Sequence, residues 1–145
     1  MKQAKDDHIR LFGKLMRKHD YMLHKICNKY GLYRGQQLIL KVLEENPGLT
    51  QNELATKINV AKASITTSLN RMERHGFVVR KKSKKDGRCN LIYITEKGKE
   101  ASHGCNHEID VLRETLFSKI DKEELTEVNA LLSKLIEGLD SFKEE

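Results

Sequence analysis

Residues 49–80 read LTQNELATKINVAKASITTSLNRMERHGFVVR, and this stretch decides the fold. Thr50-Gln51-Asn52-Glu53 is a capping box, in which the Thr50 hydroxyl accepts from the Glu53 amide and the Glu53 carboxylate reaches back to the Thr50 N–H. It opens a short helix with Leu54, Ala55 and Ile58 facing inward, and Asn59 ends it. A second helix follows almost at once over about 61–75, with Ile65, Leu69 and Met72 as its buried stripe. Gly76 closes it at the position where a left-handed residue is wanted. Residues 77–82 and 89–95 carry Phe, Val, Leu, Ile and Tyr, good strand formers. The Ser-Lys-Lys-Asp-Gly-Arg between them holds an Asp-Gly turn signal. Two short helices, a tight turn and a basic hairpin make a winged helix-turn-helix.

Helices flank this unit on both sides. Residues 5–30 predict a long helix, with Ile9, Phe12, Leu15, Met16, His19, Leu23, Ile26 and Tyr30 at three- and four-residue steps and Gly31 as its stop. Residues 35–45 predict another, with Leu38, Ile39, Val42 and Leu43 on its apolar face and Asn46-Pro47-Gly48 breaking it. Thr95 can cap a helix over roughly 96–117. Asp121 to Glu124 is a second capping box, opening a last helix. There Leu125, Val128, Leu131, Leu132, Leu135, Ile136, Leu139 and Phe142 form a stripe too broad for one short chain to cover. The expected fold class is mainly α (α+β), a winged helix-turn-helix with a helical dimerisation region in one compact domain. Its expected parts are an N-terminal dimerisation helix (1–34), a DNA-binding lobe (35–98) and C-terminal dimerisation helices (99–145).

The chain has 145 residues and a net charge of +6. That charge is local: residues 61–90 hold nine Lys/Arg against two acids, whereas residues 96–145 hold seven bases against thirteen acids. A cationic patch confined to one structural unit points to a polyanion partner, here double-stranded DNA. The outward positions of the second helix, Lys62, Ala63, Ser64, Thr66, Thr67, Asn70 and Arg71, are small, polar or cationic, as entry into a major groove requires. Lys82, Lys84, Lys85 and Arg88 on the hairpin would then reach the neighbouring backbone or minor groove, beside Asp86.

At this point the chain resembles the MarR family of bacterial regulators along essentially its whole length. The resemblance rests on Leu-Thr-x-x-Glu-Leu-Ala from Leu49, Arg-x-Glu-x-x-Gly-Phe-Val-x-Arg from Arg71, and Asp-Gly-Arg from Asp86 followed by Ile-Thr-Glu-Lys-Gly from Ile94. It implies a homodimer on pseudo-palindromic promoter DNA, acting as a repressor that an effector releases. It implies that Arg88 is the wing arginine of the minor groove, that Asp86 fixes the wing turn, and that residues 62–74 form the recognition helix. It also implies a small-molecule pocket beside the DNA-binding lobe, which Arg17, His24, Tyr33 and Arg34 could line. Ala61 departs from the family, which often has a Ser helix cap there; the lost acceptor is worth about 1 kcal/mol.

Other signals are weaker. His103 and His107 are spaced to share a metal, but the acid and His of the zinc-sensing members are Gln37 and Leu38 here. Cys27, Cys89 and Cys105 are widely spaced, with no CxxC, and read as reduced thiols. The reactive cysteine of peroxide-sensing members would fall near Ile9. No metal site and no cofactor is expected. There is no phosphate loop, HExxH or nucleophile elbow, so no enzyme is expected. No apolar run suits a membrane span and the first ten residues do not suit a secretory signal, so a cytoplasmic location is expected. A protein-interaction module built on a winged helix, and an enzyme or metal-storage helical bundle, stand as the alternatives.

Overall fold

The structure, a computed structural model, describes residues 7–143. The element order is α1 (Asp7–Lys29), α2 (Gln36–Glu45), β1 (Leu49–Thr50), α3 (Gln51–Ile58), α4 (Lys62–Arg74), β2 (Val78–Lys82), β3 (Asn90–Ile94), α5 (Glu96–Phe117) and α6 (Lys122–Asp140). The expectation that the first helix begins at residue 5 concerns Lys5 and Asp6, which lie outside the described residues. The chain divides into two compact units, Met1–Asp110 and Val111–Glu145, and the boundary falls within α5.

The first unit holds a winged helix-turn-helix fold around one apolar core. Leu32, Ile39, Leu40, Leu43, Leu54, Ile65, Leu69, Met72, Phe77, Val78 and Ile92 meet there. Both ends of α3 are set by local chemistry. The Thr50 hydroxyl accepts from the Glu53 N–H at 3.2 Å, and the Thr50 N–H donates to Glu53 Oε2 at 2.8 Å. Asn59 takes the left-handed conformation at the other end. On α4 the buried stripe is the expected Ile65, Leu69 and Met72. Gly76, with φ 77°, lets the Phe77 N–H turn back to the Met72 carbonyl at 2.9 Å and sends the chain into β2.

Ala61 stands at the N-cap of α4 in extended geometry with no side-chain cap bond. Ala61→Ser should therefore restore an acceptor for the first-turn amides and raise stability by about 1 kcal/mol. A urea midpoint that does not rise would show that those amides are already satisfied.

Two expectations need correction. The buried face of α2 is Gln36, Ile39, Leu40 and Leu43, while Leu38 is 46% exposed. The buried positions follow the i, i+3, i+4, i+7 rule, but one of them is a glutamine, which disguised the phase. Gln36 is buried because its side-chain oxygen accepts from the Tyr33 N–H at 2.9 Å. The hairpin is also the larger part of a three-stranded antiparallel sheet of order β1-β3-β2, with Leu49 opposite Ile92 and Arg80 opposite the same residue on the other side. A two-residue strand is too short to show an alternation of its own.

In α1, Cys27 is buried and Leu23, Ile26 and Tyr30 pack partly against the core. Ile9, Phe12, Leu15 and Met16, expected on the same apolar face, are all close to half exposed or more. Cys27 and Cys105, distant in sequence, bring their sulfurs to 3.9 Å. Burial first, then the neighbouring Cys27, pushes the Cys105 thiol up to about 12, so it stays protonated at neutral pH. Beside this pair, Glu108 accepts from the Tyr30 hydroxyl at 2.6 Å and from the Lys29 ammonium. The Lys29 hydrogen bond, then the Tyr30 one, holds the Glu108 carboxyl below its ordinary 4.5.

The depressed Glu108 value has a defined sign. It contributes stability that is present above pH 4.5 and lost as pH falls through the lower folded-state value. Lys29 is shifted upward by the same contact, so its contribution is present below pH 10.5 and lost only above that. Glu108→Gln should flatten the acid limb of the stability curve and leave the neutral region nearly level. An unchanged acid limb, measured by urea unfolding across pH, would remove this pair from the acid sensitivity.

The second unit contains the last turns of α5 and all of α6. Asp121 caps α6 through its Oδ1, which accepts from the Glu123 and Glu124 amides, each at 2.9 Å. No α6 residue is buried: Leu131, Leu132, Leu135, Ile136 and Leu139 lie between 42% and 73% exposed, and Phe142 just beyond is 76% exposed. No described helix is long and apolar enough to cross a membrane.

Candidate nucleic-acid interface

The candidate face is built on α4 and the loop between β2 and β3. On α4, Lys62, Ala63, Ser64, Thr67 and Asn70 are exposed, while Thr66 and Arg71 are half-buried. The difference has local causes. The Thr66 hydroxyl donates to the Lys62 carbonyl at 2.9 Å and receives the Gln51 side-chain amide, so it ties the start of α3 to α4. The Thr67 hydroxyl donates to the Ala63 carbonyl at 3.2 Å and keeps its lone pairs outward. The guanidinium of Arg71 lies 2.9 Å from the centroid of the Tyr33 ring.

Lys82, Lys84, Lys85, Asp86 and Arg88 are all exposed on the wing. The expected Asp-Gly turn has a different construction, because Gly87 does not take a positive φ. A two-residue type I′ turn would require one. The loop is instead closed by the Ser83 N–H on the Cys89 carbonyl at 2.8 Å and the Cys89 N–H on the Asp86 carbonyl at 3.0 Å. Side chains hold its interior: Ser83 Oγ accepts from the Lys85 and Asp86 amides, and Asp86 Oδ1 accepts from the Arg88 N–H at 3.0 Å. Asp86 thus orders the wing through the backbone at Arg88.

Sequence reasoning counted Arg80 among the cations of the patch. Its guanidinium is turned inward, donating to Asn70 Oδ1 at 2.9 Å and pairing with Glu73, with its side chain only 19% exposed. Two acids lay in the basic stretch, and one of them is cancelled here. The Glu73 position, one turn beyond Asn70 on the same helix, was the available signal. The pair joins β2 to α4, so the wing root and the helix are held to each other.

Three of the four effector-pocket candidates make separate contacts. Arg17 is exposed on α1. His24 hydrogen-bonds Asn28 at 3.0 Å, Arg34 pairs with Asp20 at 3.2 Å, and Tyr33 takes Arg71. His103 approaches Glu44 at 2.8 Å. Among the described residues no group of three His, Cys, Asp or Glu is arranged to hold a metal.

An exposed polar helix locked to an ordered cationic hairpin completes a winged helix-turn-helix. The MarR family model matches residues 32–90. The HTH-type transcriptional regulator YybA of Bacillus subtilis is 27% identical over 135 residues, covering 93% of this chain and 90% of the relative. Among solved structures, the YusO protein of Bacillus subtilis superposes with a TM-score of 0.78 at 20% identity, covering 94% of this chain and 97% of that one. The Staphylococcus aureus MepR–DNA complex does so with a TM-score of 0.68 at 22% identity, covering 89% and 94%. Residues 32–90 of the chain thus resemble the MarR family, and YybA, matched along nearly the whole chain, is a transcriptional regulator.

Proposed function

We propose that this regulator is a cytoplasmic homodimeric repressor that binds a pseudo-palindromic operator and is released by a small-molecule or stress effector. Its α4 would read the major groove and its wing the minor groove. The observation that carries the DNA-binding part is the Arg80 clamp, which holds the exposed Lys62, Ser64, Thr67 and Asn70 of α4 and the Arg88 wing in one fixed relation. MepR, a protein of the same fold, is solved on DNA. The homodimer is supported by the exposed apolar residues of α1 in the first unit and of α6 in the second, since faces of this kind on a water-soluble chain call for a covering partner. The effector-released repressor role rests on the family resemblance.

The wing supplies the test. A guanidinium in a narrow, electronegative minor groove gains more than an ammonium on its rim. Arg88→Ala should weaken binding to an operator, selected by the wild-type chain from a random duplex pool, by roughly 1–3 kcal/mol with little change in folding. Asp86→Ala removes a negative charge near DNA, yet it should also weaken binding, because the Arg88 amide loses its acceptor. Lys84→Ala or Lys85→Ala should weaken all duplexes alike and lower the salt slope by about one unit per lost contact. Tighter binding by Asp86→Ala together with a neutral Arg88→Ala would reduce the wing to a diffuse cationic patch.

A further inference from the structure

Tyr33 lies outside the helix-turn-helix, in the corner between α1 and α2, and is 45% exposed. Burial does not account for an aromatic side chain there. Its ring instead carries the guanidinium of Arg71 from the third turn of α4, 2.9 Å from the centroid. We propose that Tyr33 is a positioning residue for Arg71. The guanidinium carbon sits over the ring, and a guanidinium held there through its flat face would keep its in-plane N–H donors for a phosphate oxygen or a guanine edge. The proposal rests on the DNA-binding reading above.

The chemistry supports this division of labour. A guanidinium stacks through its flat face and hydrogen-bonds through its edge, so the two uses do not compete. A long arginine side chain left free on a helix loses rotamer freedom when it meets DNA. One already stacked has lost much of it before binding. The platform is also fixed. The Tyr33 N–H donates to Gln36 Oε1 and the Gln36 N–H donates to the Tyr33 carbonyl, both at 2.9 Å, and Gln36 is 3% exposed. Leu32, the preceding residue, is fully buried, and Arg34, the following one, pairs with Asp20 of α1 at 3.2 Å. The α1–α2 corner is thereby part of the reading face, although it belongs to neither the recognition helix nor the wing.

A double-mutant cycle tests the assignment. The full-length wild type, Tyr33→Phe, Tyr33→Ala, Tyr33→Leu, Arg71→Ala and the Tyr33→Ala/Arg71→Ala double variant are compared on the duplex that the wild type selects from a random pool. Tyr33→Phe should stay within about twofold of wild type, since it keeps the ring. Tyr33→Ala and Tyr33→Leu should each weaken binding about three- to fivefold, the size of an exposed cation–π contact. Arg71→Ala should cost about tenfold or more, and the double variant no more than Arg71→Ala alone. The Arg71 Nε–H proton, observed without DNA, should lie upfield in wild type and Tyr33→Phe and return downfield in Tyr33→Ala. Additive losses, an Nε–H resonance insensitive to the ring, or a Tyr33→Phe variant as weak as Tyr33→Ala would each overturn the proposal. A pool that enriches no sequence would overturn the DNA-binding reading and this proposal with it. An enriched duplex with an additive cycle would overturn this proposal alone.

Discussion

Gly98→Ala should destabilise the first unit by about 3 kcal/mol, more than a single added methyl ordinarily does. Gly98 lies in the first turn of α5, where its amide donates to Thr95 Oγ1 at 3.0 Å. A Cβ there would stand 2.8 Å from Ile94 Cγ1 and closer still to the carbonyl oxygen of Phe77. The isoleucine could rotate away, but the carbonyl cannot. It accepts from the Thr95 N–H at 3.0 Å, and the Thr95 hydroxyl is itself bound to the Gly76 carbonyl at 2.6 Å. Relieving the clash means lifting α5 from the end of α4 or breaking those bonds. Urea unfolding should show the loss as a lower midpoint. An unfolding free energy within about 0.5 kcal/mol of wild type, the range of ordinary surface changes, would mean that the α5 contact yields more easily than this geometry allows.

The second large effect is expected in the second unit. Leu135 is 51% exposed on α6, in a run of apolar residues that the second unit leaves uncovered. If a second copy covers that run, Leu135→Asp buries a carboxylate without a partner, at a cost of several kcal/mol per dimer. Sedimentation at micromolar concentration should then show a monomer. Operator affinity should fall by about a hundredfold or more, because one half-site holds one lobe and the advantage of linked binding is gone. The exposed position leaves the monomer fold intact, which circular dichroism would verify. A Leu135→Asp chain that still sediments as a dimer would take α6 out of the dimer contact.

The parts of the fold that the sequence made legible are those written in neighbouring residues. Thr50 with Glu53, and Asp121 with Glu124, announce two helix starts because each box satisfies its own amides within four residues. Gly76 announces a helix end for an equally local reason. The stripe Ile65, Leu69 and Met72 is legible because α4 is apolar on one side only. What escaped depends on contacts between distant segments. The phase of α2 is hidden by Gln36, a polar residue buried for the sake of the Tyr33 amide. The Cys27–Cys105 approach and the Tyr30–Glu108 bond join α1 to α5 across more than seventy residues. In the candidate site, composition found the exposed lysines of the wing and the small polar face of α4. It could not tell Arg80, turned inward to Glu73 and Asn70, from cations that face outward, since both contribute alike to a count of charge. Nor could it place Tyr33 beneath Arg71, because nothing in either neighbourhood mentions the other.

The inward turn of Arg80 bears on how sequence errors would be felt. With β2 tied to α4 through Arg80, the root of the wing and the helix are held against each other once the chain folds, which limits how far one can reorient against the other. If α4 and the wing read neighbouring grooves as proposed, a duplex whose grooves suit the helix but not the wing would have to strain this clamp before the hairpin could swing. Penalties at major-groove and minor-groove positions of a half-site would therefore compound instead of adding independently. Discrimination by such a head would then come from groove spacing and local helical twist as much as from any single base edge.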